Sequence, residues 1–368
     1  MKQTYFRYFW FVAILGALAG AVIFARQQAP GQIKTNLYHQ WANTFVKTSG
    51  DVAYVKTDTA RDQDVVLSEG QSYGMLIAAE AGQKGLASQE DFDKLYRYYL
   101  QHRYNGTQLM SWRQTVTTDK IVDDDNNATD GDLYIAYALI QASQVWKNKA
   151  ESYQNQAKAI LADILAYNYN RTTGVLTLGN WADEASKNHY LMRTSDVVPA
   201  QFQAFYDLTG DNTWLTVNDK MLTALEKMSN QTKTGLVPDF MWVNADGSVS
   251  AAKAGTISSS YDDDYYYNAC RVPYNLAQSQ DKRAQAVTDR ILDFFMTQEA
   301  IYGGYSLKGK VVDYHQSASF IAPVVLAASK NSAYTKLVQQ HKYIFQQNLP
   351  SNNYYDSALT TLSALEAL

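Results

Sequence analysis

Residues 128–146 read Ala-Thr-Asp-Gly-Asp-Leu-Tyr-Ile-Ala-Tyr-Ala-Leu-Ile-Gln-Ala-Ser-Gln-Val-Trp. Ile135, Ala138, Leu139, Ala142 and Trp146 recur at helical spacing, which predicts a helix that turns one apolar face to a core. At its front Thr129 or Asp130 is placed to cap, and Asp130 and Asp132 stand where the positive end of the helix dipole favours ionised carboxylates. A rigid element that holds carboxylates at its mouth is what acid/base chemistry needs. Plain helix capping accounts for the same two acids equally well.

Outward from this stretch, polar punctuation separates further helical patterns near 31–47, 69–83, 88–102, 149–167, 195–208, 211–229, 265–279, 281–299, 314–328, 332–347 and 354–367. With 130–146 they make twelve helices. In 281–299, Ala284, Val287, Ile291 and Phe295 form a face from which Lys282, Arg283, Asp289 and Arg290 point away. The links alternate in length. They are short at Lys147-Asn148-Lys149, Thr209-Gly210-Asp211 and Gln280-Asp281, and long at 103–129, 168–194 and 230–264. The pattern is that of an all-α protein built from helical hairpins, with a cleft among the long loops. Short strands are expected at Gly174 to Leu178 and Gly235 to Trp242. After a polar linker, Gln27 to Gln32, no Pro/Gly/Ser-rich break divides the chain, so 31–368 is read as one domain.

Composition narrows the function. The 368 residues are 46% hydrophobic, ample for a packed core, and a net charge of −4 without a basic run argues against nucleic acid as a partner. The single cysteine, Cys270, excludes an internal disulfide and any multi-cysteine zinc site. His39, His102, His189, His315 and His341 lack metal-ligand spacing. Asp123-Asp124-Asp125-Asn126-Asn127 begins like a calcium loop, but Ala128 stands where that loop needs glycine and Tyr134 where it needs glutamate. Twenty-eight tyrosines and seven tryptophans supply rings for core walls and for flat polar ligands such as sugars.

Lys2 and Arg7 precede an uncharged run from Tyr8 to Ala25, closed by Arg26. The run is at the lower limit for a membrane span and longer than a usual signal-peptide core. Residues 1–30 are therefore expected to form an uncleaved signal-anchor and linker, with the rest of the chain outside the membrane. Ala17-Leu18-Ala19 offers the competing cleavage site, which would make the protein secreted.

Residues 68–76, Ser-Glu-Gly-Gln-Ser-Tyr-Gly-Met-Leu, carry two readings. Gly70-Gln71-Ser72-Tyr73-Gly74 fits the G-x-S-x-G elbow of serine hydrolases, with Val65 to Leu67 as its strand and Asp263 and His315 as partners. That reading needs a parallel sheet, and no alternation of strands with helices supplies one. In the other reading Glu69 opens a helix whose Gly70 and Gly74 allow close approach of a neighbour.

The whole of 128–146 resembles the signature of glycoside hydrolase family 8, matched at Ala128, Asp130, Asp132, Ile135, Ala136, Ala142 and Trp146. Ser68-Glu69-Gly70, followed by Tyr73-Gly74, resembles that family's Ser-Glu-Gly-x-x-Tyr-Gly motif. The resemblance implies a closed (α/α)6 barrel of six hairpins. It also implies a cofactor-free, monomeric, endo-acting glycosidase that cleaves a β-1,4-linked polysaccharide with inversion. Glucan is the first expectation, with chitosan or xylan as alternatives. Glu69 is then the proton donor, and Asp130 grips the sugar at the cleavage point. Trp112 is similar to the family's stacking tryptophan, and Arg193-Thr194-Ser195-Asp196, Arg271 and Tyr354-Tyr355-Asp356 resemble its cleft segments. The departure lies in 265–274, where the position of the usual base is Asn268, an amide that cannot take a proton. Another branch of the family draws its base from the preceding loop. Here that loop is 258–264, and Asp264 is the candidate ahead of Asp262 and Asp263. Without a base, the same barrel would be a silent polysaccharide-binding protein.

Overall fold

Helices that are apolar and small-residued on every side need neighbours all round, whereas amphipathic ones need a neighbour on one side only, and the chain alternates the two kinds. The computed structural model describes residues 29–58, 63–117 and 119–368, together with 10, 12–18 and 20. From residue 29 onward the described residues form α1 Pro30–Phe45, α2 Ser68–Gln83, α3 Gln89–Gln101, α4 Thr129–Val145, α5 Ala150–Tyr167, α6 Pro199–Thr209, α7 Thr213–Asn230, α8 Val272–Ala277, α9 Lys282–Met296, α10 Ala318–Ser329, α11 Thr335–His341 and α12 Tyr354–Ala367. The even-numbered helices pack in a closed ring, α2 on α4, α4 on α6, and so on through α12, which returns to α2. They are buried almost throughout, as in α10 from Ser319 to Ala328 and α12 from Asp356 to Leu365. The odd-numbered helices back them from outside and bury one stripe each, such as Ala284, Val287, Ile291 and Phe295 in α9. The fold is an (α/α)6 barrel, and one continuous hydrophobic core runs from Ile33 to Leu365.

Short links join each inner helix to its outer partner, and the long ones lead from outer to next inner helix, so the long loops gather at the N-termini of the inner ring. They carry antiparallel strands: a hairpin of β1 Val46–Ser49 and β2 Val52–Val55, a sheet of β3 Asp64–Leu67, β4 Arg113–Val116 and β5 Ile121–Asp123, and a sheet of β6 Leu191–Arg193, β7 Phe240–Val243 and β8 Val249–Ala251. Only the end of the expected 235–242 strand is realised, and 174–178 is reduced to a bridge between Tyr169 and Leu176. The others escape prediction because three or four residues are too few to show a period.

Several helix ends also differ from expectation. The segment 265–279 is helical only from Val272 to Ala277, because Tyr265 pairs with Tyr305 and the next residues are held by Asp239. Helix α6 starts at Pro199 rather than 195, since a residue before proline is biased away from helical backbone. The stretch 314–328 becomes helical only at Ala318, and 332–347 is broken into α11 between two 3-10 turns. In α4 neither Thr129 nor Asp130 is the cap, because the helix already begins at Thr129, whose hydroxyl donates to Thr177 O. The burial of α4 is not confined to one face either, as befits an inner helix.

Half of the proposed anchor, Tyr8 to Ala25, lies outside the described residues. Among the described residues no helix is long and apolar enough to cross a membrane.

Candidate active site

Because the inner helices share one direction, the residues that open them meet at one end of the barrel. Glu69 is the second residue of α2, and Asp130 the second of α4. Gly131 lets these two helix mouths touch: a Cβ there would lie 2.7 Å from Ser68 Cβ and 2.9 Å from the Ser68 carbonyl carbon. Gly70 and Gly74 do the same for the β2 hairpin side, where Thr57 and Val55 methyls occupy the space of any Cβ.

Arg271, delivered by the 3-10 turn Ala269–Arg271 ahead of α8, is 1% exposed and ties the mouths together. Its Nη1 donates to Glu69 Oε2 at 2.9 Å, Asp130 Oδ2 at 3.0 Å and the Tyr73 hydroxyl at 3.1 Å, while Nη2 donates to Asn268 Oδ1 at 2.8 Å. Tyr354, the first residue of α12, donates to Glu69 Oε1 at 2.5 Å, and Tyr355 donates to Tyr267 O at 2.5 Å. Arg193, at the end of β6, pairs with Asp130 at 2.5 Å and lies 3.6 Å from Asp196.

One guanidinium thus serves two acids whose protonation is driven apart. Burial raises the Glu69 carboxyl, and Asp130 adds to this, against the pull of Arg271, Tyr354 and Arg193. Burial also opposes ionisation of Asp130, but Arg193 and Arg271 outweigh it and hold that carboxyl at about 2. A carboxyl pushed toward its protonated form beside one held ionised is the kind of pairing that general-acid chemistry uses. Asp132 takes no part in it. It is fully buried, accepts from Met110 N at 2.7 Å and Asn127 Nδ2 at 2.8 Å, and burial lifts it to about 8, so the ionised state expected from the helix dipole is not realised.

Trp112 is 36% exposed, and its carbonyl accepts from Ser68 N at 2.9 Å, which ties its backbone to the start of the helix that carries Glu69. Asn268 is committed on both sides. It receives Arg271 and donates Nδ2 to Asp239 Oδ2 at 3.0 Å. Asp239 also accepts from the backbone N–H of Tyr266, Asn268 and Ala269, and burial, opposed by these bonds, leaves it at about 6. In the loop acids, Asp262 is fully buried and accepts from Ile257 N, Ser258 N, Ser258 Oγ and Ser259 N, so it clasps its own loop. The Asp264 carbonyl receives Asp239 N at 2.8 Å, while its part-exposed carboxylate stands apart from the Arg271 cluster and is raised to about 6 by burial and by Asp263.

Tyr73 and Asp239 were not picked out as site residues from the sequence. Tyr73 follows Glu69 by one helical turn within the same motif, which is a usable signal. Asp239 lies 29 residues from Asn268, and nothing local marks it.

The serine-hydrolase reading fails on geometry. Ser72 is fully buried, its hydroxyl donates to Glu69 O at 2.7 Å, and every described strand pair is antiparallel. In the acidic run, Asp123 is bound to His102 Nδ1 at 2.8 Å, and among the described residues no three His, Cys, Asp or Glu side chains gather as metal ligands.

The sequence profile of Glycosyl hydrolases family 8 matches residues 12–367. A beta-glucanase of Niallia circulans is 31% identical over 89% of this chain and 82% of its own length, and an endoglucanase of Bacillus sp. (strain KSM-330) is 30% identical over 83% and 69%. The apo structure of a beta-1,3-1,4-glucanase from Paenibacillus sp. X4 superposes with a TM-score of 0.83 at 26% identity, covering 92% of this chain and 91% of that one. The fold is shared also with an endo-beta-1,4-glucanase of Acetobacter xylinum, with a TM-score of 0.70 at 24% identity over 92% and 98% of the two chains. A barrel that brings Glu69, Asp130 and Arg271 together at its mouth, and likenesses that run the length of the chain, lead to one assignment: the protein is a glycosidase and belongs to glycoside hydrolase family 8.

Proposed function

We propose that the protein is an endo-β-glucanase that hydrolyses β-1,4-linked glucan with inversion. The observation that carries this reading is the Arg271 guanidinium shared by a carboxyl pushed toward its protonated form and one held ionised. Glu69 donates its proton to the glycosidic oxygen as the bond to the anomeric carbon breaks. Asp130, already negative, holds the sugar at the cleavage point and faces the positive charge that develops on its ring. Asp264 takes the proton of the water that attacks the opposite face. Support for Asp264 over its neighbour comes from the loop, since Asp262 is spent on four hydrogen bonds while the Asp264 carboxylate accepts none among the described residues. Tyr354, Tyr355 and Trp112 offer rings to the sugar. The names of the relatives support glucan. Chitosan and xylan remain the alternatives, to be decided by turnover. Lys2 and Arg7 before the apolar run support export with the barrel outside the membrane, a placement that protease accessibility on intact cells would test.

The test is Glu69→Gln, which keeps shape and removes the proton. Reducing-end release from carboxymethylcellulose, lichenan, chitosan and xylan should fall by ~10²–10⁴-fold while oligosaccharide binding survives. Retention of more than about a tenth of wild-type activity would remove Glu69 from the role. One observation favours a second reading. The fully bonded Asn268 offers no base, and binding without cleavage of all four polymers by the wild-type protein would make it a silent polysaccharide-binding barrel.

A further inference from the structure

Asp196 is the acid this chemistry leaves unused. It ends the 3-10 turn Thr194–Asp196 ahead of α6, is 1% exposed, and neither carboxylate oxygen receives a hydrogen bond from the described residues. The turn does not need that side chain. Thr194 N donates to Asp239 O at 3.1 Å, Thr194 Oγ1 to Pro238 O at 2.7 Å, and Asn275 Nδ2 to Ser195 O at 2.7 Å. Burying a carboxylate with so few partners drives it toward its neutral form unless a nearby cation holds its charge. The charge beside it is Arg193, 3.6 Å away, whose same Nη1 reaches Asp130 at 2.5 Å.

The groups around it form a closed account of charge. Facing Asp196 are Glu69 from α2, Asp130 and Tyr134 from α4, Arg193 from β6 and Arg271 from the turn before α8; Tyr73 of α2 is bonded to that same Arg271, and Asp239, just ahead of β7, receives the neighbouring Thr194 N–H on its carbonyl. Tyr73 and Tyr134 are held neutral, chiefly by burial. Asp239 is bonded to the 266–269 backbone. Two guanidiniums and three carboxylates remain, so a neutral cluster contains a single carboxyl proton. The doubly paired Asp130 does not hold it, which leaves Glu69 or Asp196.

We propose that Asp196 is a positioning residue for hydrolysis: through Arg193 it supplies the second negative charge of the cluster, so that the two guanidiniums that keep Asp130 ionised do not also strip the remaining proton from Glu69. Burial, reinforced by Asp130, raises the Asp196 carboxyl to about 7 against the pull of Arg193, which puts it within reach of exchanging that proton with Glu69 near neutrality. The inference rests on Glu69 being the acid.

Asp196→Asn keeps the volume and deletes the charge. Two guanidiniums then face Asp130 alone, Glu69 ionises more easily, and the alkaline limb of kcat/KM against pH moves down by on the order of one unit. Activity on the acid side of the profile is retained. Asp196→Glu keeps the limb in place. A purely structural role would instead lower activity evenly across pH without moving the limb, and that result overturns the proposal. If Asp196→Asn does not fold, Arg193→Gln reads the balance from the other side: the limb must move up, and a limb that stays or falls refutes the assignment. Failure of the underlying reading is seen separately, as activity retained in Glu69→Gln.

Discussion

The amide at Asn268 invites reversion to aspartate, and the structure states what that would do. Asn268→Asp replaces an N–H donor with a carboxylate oxygen 3.0 Å from Asp239 Oδ2 while leaving the Arg271 bond at 2.8 Å intact. Two unit charges so close repel by roughly 5 kcal/mol at an effective dielectric of ~20, so the pair will instead retain a proton. Asp239 already sits at about 6. An acid whose folded pKa exceeds its unfolded value near ~3.9 contributes fully below that value and loses stability as pH rises toward the folded one. The variant therefore loses up to ~1.4 kcal/mol per pH unit relative to wild type through this window, which closes about two units above pH 5 as the pair gives up its proton. Starting at roughly 1–2 kcal/mol at pH 5, the deficit should reach about 3–5 kcal/mol by pH 8. At about 1.5 °C per kcal/mol for a chain of this size, Tm should fall by about 2 °C at pH 5 and by about 5–7 °C at pH 8. Paired scanning calorimetry of wild type and variant at the two pH values measures the difference. A Tm deficit that is constant with pH, or that shrinks above pH 7, refutes the reasoning. Turnover should not rise, because the new carboxylate is aimed at Asp239 and Arg271, and a rise would show that it reaches the reacting water.

Gly131→Ala should push α4 from α2, since the added methyl meets Ser68 backbone at 2.9 Å. Roughly 1–3 kcal/mol of stability and on the order of 10²-fold in kcat should be lost, and a variant with wild-type kcat would show that the acids do not depend on this contact. Asp262→Asn and Asp264→Asn should separate structure from chemistry. The first should lower Tm with kcat largely kept, while the second should lower kcat by ~10²-fold or more at unchanged Tm. Azide should rescue Asp264→Ala and yield a glycosyl azide of inverted configuration, and unchanged turnover in all of these would place the base elsewhere.

What could be read from the chain follows the range of the interaction. The twelve helices are local, period-bearing features, and α4 and α9 appear where their apolar residues place them. Glu69 and Asp130 stand out in the sequence because each sits inside a motif, and the structure brings both to Arg271. The strands were too short to show a pattern, and α8 was over-extended because its first residues answer to Tyr305 and Asp239, partners far off in sequence. Asp132 shows the limit of a local electrostatic argument: the helix dipole favours its ionised form, yet burial decides the matter and leaves it at about 8.

The same limit explains why Asp130 behaves differently two residues away. Its two cations come from β6 and from the turn before α8, while the acid it serves opens α2 and is held from the far side by the first residue of α12. None of these neighbours is local to it. The opposite shifts of Glu69 and Asp130 arise only once the ring has closed and one guanidinium is locked between them. Helix mouths forced apart, as by Gly131→Ala, should cost catalysis even where the core absorbs the displacement, because it still separates the two acids from their shared arginine.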